Sequence, residues 1–136
     1  MRDAAARSAA EAEAPFDLIR EAGGSGEEGP AKDLTFAGYV MTHDRVPAFE
    51  GSDGQPYTVD IDTEETADPS RPWAGFLVFV RWAATGAGIM GHVVSEDVVW
   101  GGSEDEARTR ALDLTLYELK TELDRAIERH RSLLEE

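Results

Sequence analysis

A chain of 136 residues without cysteine has room for one hydrophobic core and cannot use disulfides, thiol catalysis or cysteine-ligated metal sites. Its 28 acidic and 13 basic residues leave a formal charge of −15, which repels phosphate backbones and makes direct nucleic-acid binding depend on a segregated basic patch. The C-terminal cations Lys120, Arg125, Arg129 and Arg131 form no such patch, because Glu118, Glu122, Asp124 and Glu128 are interleaved with them.

The chain opens on an Ala-rich stretch, residues 1–14, which has helix propensity but no large apolar side chain to bury. Pro15 suits a first helical turn, and Phe16, Leu18 and Ile19 give a short helix a small apolar face before Gly23 and Gly24 end it. Residues 23–33 read as a flexible linker. The expected organisation is an N-terminal helical arm with a Gly-rich linker over 1–33 and a single α+β domain over 34–136. The first residues lack the apolar run of a signal peptide, and no segment approaches the roughly 18 apolar residues of a membrane span. A cytoplasmic protein that does not engage a membrane is expected.

The spacing predicts a strand over residues 34–42, weakened or bulged at Gly38. Asp53-Gly54 between Ala48-Phe49 and the alternating run Tyr57–Ile61 signals a hairpin. In that run Tyr57, Val59 and Ile61 share one face, and Thr58, Asp60 and Asp62 the other. Residues 63–72, with Pro69 and Pro72, read as a surface loop. From Trp73 to Ala84, Phe76, Val78, Val80 and Trp82 face one way and Leu77 and Phe79 the other, the pattern of a central strand covered on each side. A glycine turn at residues 85–88 leads into a last strand system, Ile89 to Trp100, interrupted at Ser95-Glu96-Asp97.

Ser103 and Glu106 form a capping box after Gly101-Gly102, and no Pro or Gly follows for about thirty residues. One long helix is expected there. Leu112, Leu116, Leu119, Leu123, Ala126, His130 and Leu133 repeat with heptad spacing. Such a helix is about 45 Å long, whereas a ten-residue strand spans about 33 Å, so its last turns should project past the sheet. The fold class is α+β: an antiparallel sheet of four to five strands packed against one long C-terminal helix, with a short N-terminal helical arm.

Few residues carry recognisable chemistry. Gly86 to Gly91 matches G-x-G-x-x-G, but the strand-forming His92-Val93-Val94 follows where a dinucleotide site needs a helix. Free amides at the start of the long helix face Glu104, Asp105 and Glu106, which repel an anion. Asp60, Asp62 and Glu64 alternate on one strand face and are weak candidates for a hard cation, without the turn glycine or the distal bidentate Glu of a calcium loop. His43 and His92 are candidates for a ligand pocket if they converge, and Trp73, Trp82 and Trp100 for its aromatic lining. Ser95 beside His92 has no nucleophile elbow, so no catalytic residue is assigned. No cofactor is expected.

Over roughly residues 56–120, the succession of strands, glycine turn, Ser103-Glu104-Asp105-Glu106-Ala107 and helix is similar to the small β-β-β-α domain of HicB-type antitoxins, although no DNA-binding module follows. The reading that results is a non-enzymatic interaction protein. A homodimer would be joined through the C-terminal helix by Leu119, Leu123, Ile127 and Leu133. A small-molecule binder or enzyme with an aromatic-lined pocket between sheet and helix is the alternative. An acidic, antitoxin-like antagonist of a basic protein is the second.

Overall fold

The computed structural model describes residues 34–134, so the expected arm and linker over residues 1–33 lie outside the described residues. The α+β architecture is present as three helices and five strands among them. In chain order these are α1 (Phe36–His43), β1 (Ala48–Glu50), β2 (Pro56–Glu65), β3 (Trp73–Trp82), β4 (Ile89–Val94), β5 (Val99–Gly101), α2 (Glu104–Leu112) and α3 (Leu116–Leu134). The sheet is antiparallel throughout, in the order β1-β2-β3-β4, with β5 also pairing with β3.

The expected first strand is a helix. Phe36, Tyr39 and Val40 fall at i, i+3 and i+4, and Phe36 and Tyr39 are buried. Thr35 is the N-cap, its hydroxyl accepting from the Gly38 amide at 3.0 Å. Asp44 closes α1 in the left-handed conformation, φ 58°, donating its amide to the Val40 carbonyl. An apolar run this short is ambiguous by period alone, and here the two caps decide it.

The long C-terminal helix is present as α3, but the stretch expected to begin it at Ser103 is a separate, shorter helix, α2. α2 begins as the sequence indicates: Ser103 Oγ accepts from the Glu106 amide at 3.1 Å, and Glu106 reaches back to the Gly102 amide. It stops at Leu112, with Asp113 as C-cap. A second capping box then starts α3, with the Thr115 hydroxyl accepting from the Glu118 amide and Glu118 Oε1 accepting from the Thr115 amide. The chain before α1 plugs the break. The Phe36 amide donates to the Leu114 carbonyl at 2.8 Å, and the Leu116 amide to the Leu34 carbonyl at 2.9 Å. Backbone groups freed by the break are thereby satisfied within the domain.

With 19 residues, α3 is about 28 Å long and no longer outruns a ten-residue strand. Its apolar stripe is used inside the domain: Leu116, Leu119, Leu123, Ala126 and Ile127 are buried against Phe49, Tyr57, Val59, Leu77, Phe79 and Val93 of the sheet. α2 lies close on the same side. A Cβ added at Gly75 would sit 3.2 Å from the Ala107 carbonyl oxygen and 2.8 Å from Val99, so this glycine permits the approach of α2.

β3 organises the sheet by changing partner along its length. Its C-terminal half pairs with β4, from Val78 opposite Val94, and its N-terminal end with β5, from Trp73 opposite Gly101. The chain crosses between the two at Ser95, where the sequence indicates an interruption. Because α1, α2 and α3 pack on the side of Leu77 and Phe79, the helices among the described residues cover β3 on that face alone. That asymmetry creates the candidate site.

Candidate interaction face

The face turned away from the helices is built from alternate residues of three strands. β2 contributes Thr58, Asp60, Asp62 and Glu64, and β3 contributes Phe76, Val78, Val80 and Trp82. β4 adds His92 and Val94. Register sets Asp62 opposite Phe76, Asp60 opposite Val78 and Thr58 opposite Val80. Phe76, Val78, Val80 and Trp82 are half-buried, and Asp60, Asp62 and Glu64 are exposed. A strip of apolar surface therefore runs along β3 with a row of carboxylates on its β2 side.

Both ends of the strip carry a tryptophan. The Trp82 indole N–H donates to the Thr58 hydroxyl at 3.0 Å. Trp100, opposite Ala74, lies beneath the Arg71 guanidinium, which is 4.2 Å from its ring centroid. Near the β5 end, Glu64, Glu96 and Asp97 surround a shallow depression of about 430 Å³ floored by Phe76 and Val94. The Glu64 side chain lies in hydrogen-bonding reach of Asp97, and that contact, with the Asp97 charge, raises the proton affinity of Glu64 above the ordinary glutamate range. Glu96 meets Arg129 at 3.7 Å, but Glu64 and Asp97 have no ion pair with a cation among the described residues.

The residues singled out from sequence are dispersed. His43 ends α1 and stacks on Tyr39, the ring centroids 4.3 Å apart. His92 lies in β4 opposite Val80, at the edge of a separate cleft beside α3 that His130 also lines. Neither His43 nor Trp73, Trp82 or Trp100 lines that cleft, so the five pocket candidates do not form one site. Asp60, Asp62 and Glu64 do share a face, yet no group of three or more His, Asp or Glu among the described residues is placed to hold a metal ion. Leu119, Leu123 and Ile127 belong to the core, and of the four expected dimer residues only Leu133 is exposed.

The depression needed information that sequence spacing does not carry, since Glu64 and Asp97 come from different strand ends joined through β3. Ser95-Glu96-Asp97 was legible as an interruption, but its return beside Glu64 depends on the register of three strands. No helix among the described residues is long and apolar enough to cross a membrane. Comparison with protein-family models, with curated proteins and with solved structures finds no match to this chain.

Proposed function

We propose that this protein is a non-enzymatic binding protein whose open sheet face takes a basic segment of a partner protein. The observation that carries the reading is the placement of Glu64 and Asp97 around one depression beside Phe76: two carboxyl groups on its rim, no ion pair on them among the described residues, and an apolar floor next to them. Arginine and lysine fit such a surface because their apolar stems lie on hydrophobic side chains while their charged heads reach carboxylates. Val78, Val80 and Trp82 extend the apolar contact, and Asp60 and Asp62 extend the charge. The net charge of −15 adds long-range steering toward a basic partner.

The same charges disfavour self-association through this face, since two copies would bring their carboxylate rows together. Dimerisation through α3 has little apolar surface left to use. Leu119, Leu123 and Ile127 are buried in the domain, which leaves Tyr117 in the first turn of α3 and Leu133 and Leu134 at its end. A basic partner in the cytoplasm is therefore favoured over a second copy.

A calorimetric titration with a synthetic peptide alternating Arg with Val and Phe tests the reading. The wild type should bind at low salt, with affinity falling as salt rises. Val78→Asp with Val80→Asp should remove binding while leaving the helix-side core folded. Asp62→Asn with Glu64→Gln should weaken binding about tenfold and flatten its salt dependence. Equal affinity in all three proteins would overturn the proposal.

A further inference from the structure

On the helix side of the sheet, the last turns of α3 pass the ends of β2, β3 and β4 and leave a cleft of about 510 Å³. This is within the range of small-molecule sites. Its polar lining runs opposite to the rest of the molecule. Among the described residues, Arg81, Arg131 and His130 line it with one carboxylate, Asp53, in a chain whose charge is −15.

That carboxylate is already engaged. Asp53 accepts from the Tyr57 hydroxyl at 2.8 Å and from the Gln55 amide at 3.0 Å. Burial, and then this hydrogen bond, raise the Tyr57 phenol well above its ordinary range, while the nearby Arg81 guanidinium pulls the other way. The phenol therefore stays a neutral donor aimed at Asp53.

Arg81 is held but not neutralised. Its Nη2 donates to the Met90 carbonyl at 3.2 Å, and it makes no ion pair among the described residues. Among the described residues Arg131 pairs only with Glu128 of its own helix, exposed and at 3.4 Å, a contact of little strength in water. Around the two guanidinium groups stand the apolar side chains of Met90, Ile127 and Leu134, with Met90 and Leu134 largely exposed to solvent.

We propose that this cleft is a binding site for a small organic acid, its carboxylate taken by Arg81 and Arg131 and its apolar body lying against Met90, Ile127 and Leu134. Planar guanidinium groups match a carboxylate with paired N–H donors. A bare inorganic anion would use the cations and leave the apolar wall in water, whereas an uncharged apolar molecule would leave Arg81 without a counter-charge.

The test is an NMR titration of the full chain with hexanoate, with hexanamide as the uncharged counterpart and inorganic phosphate as the anion without an apolar body. Hexanoate should shift the amides of Gly91, His92 and Ile127 to saturation. Hexanamide and phosphate should each bind about tenfold more weakly. Arg81→Gln, which keeps a donor for the Met90 carbonyl, should cost about tenfold in hexanoate affinity, and Arg81→Lys should cost less. The proposal is overturned if hexanamide binds as well as hexanoate, if phosphate matches it, if Arg81→Gln changes nothing while thermal melting stays normal, or if hexanoate produces no saturable shift. Because hexanoate is repelled by the carboxylates of the open face, none of these results bears on the basic-partner reading.

Discussion

Ser95 Oγ accepts a hydrogen bond from the Leu77 amide at 2.9 Å, and the Ser95 amide donates to the Leu77 carbonyl at the same distance. The contact sits where β3 leaves β4 for β5, so a side chain supplies the bond that the ladder would otherwise give. The hydroxyl also donates to the Glu96 carbonyl at 2.7 Å, fixing the turn that brings Asp97 beside Glu64. Replacing Ser95 by Ala leaves the Leu77 amide without its acceptor in a buried setting and should cost about 1–3 kcal/mol. Urea denaturation checks this, and a change below a few tenths of a kcal/mol would mean the turn holds by other means.

The Glu64–Asp97 pair makes a pH-dependent prediction. The folded state holds the Glu64 proton more tightly than the unfolded chain does. The pair therefore favours folding most below the ordinary glutamate range, and that advantage is lost as pH rises through the raised folded value. Glu64→Gln removes the repulsion present at neutral pH. It should raise Tm by about 1–2 °C at pH 7, a small figure because the group is exposed, and by less at pH 4. A larger gain at pH 4 than at pH 7 would contradict the assignment.

Leu123 separates a core role from an interface role. It is fully buried between α3 and the sheet, so Leu123→Ala should cost about 2–5 kcal/mol of stability and leave the solution mass of the folded protein unchanged. Thermal melting with light scattering reads both. Loss of mass without loss of stability would reinstate the helix as an interface.

Thr115 is predicted to set the helix break. Thr115→Ala removes the acceptor for the Glu118 amide and should cost about 1 kcal/mol, measured by denaturation. Protection of the Leu116 amide, which bonds to the Leu34 carbonyl at 2.9 Å, should fall with it in hydrogen exchange. Unchanged stability and protection would show that the α1 segment alone maintains the break.

Much of the fold was readable because it rests on local patterns. The Asp53-Gly54 hairpin, the alternation of Tyr57, Val59 and Ile61, the capping box at Ser103 and the interruption at Ser95 each occupy a few adjacent residues. The break at Thr115 is also written locally, since Thr115 and Glu118 form a capping box, but no Pro or Gly marks it. Residues 34–42 are ambiguous because an apolar run of that length fits either period, and only the caps Thr35 and Asp44 mark them as a helix. The candidate site was legible only in part. Alternation disclosed the acidic row of β2 and the apolar row of β3, whereas which face the described helices cover depends on all three choosing the same side.

The most direct test of the interaction face is a map of amide shifts in the full chain as the Arg-Val-Phe peptide is added at low salt. Shifts confined to Asp60–Glu64, Phe76–Trp82 and Asp97 are predicted, with α3 and the cleft beside it unaffected. Shifts centred on α3, or no saturable shifts at all, would contradict the proposed role of the open sheet face.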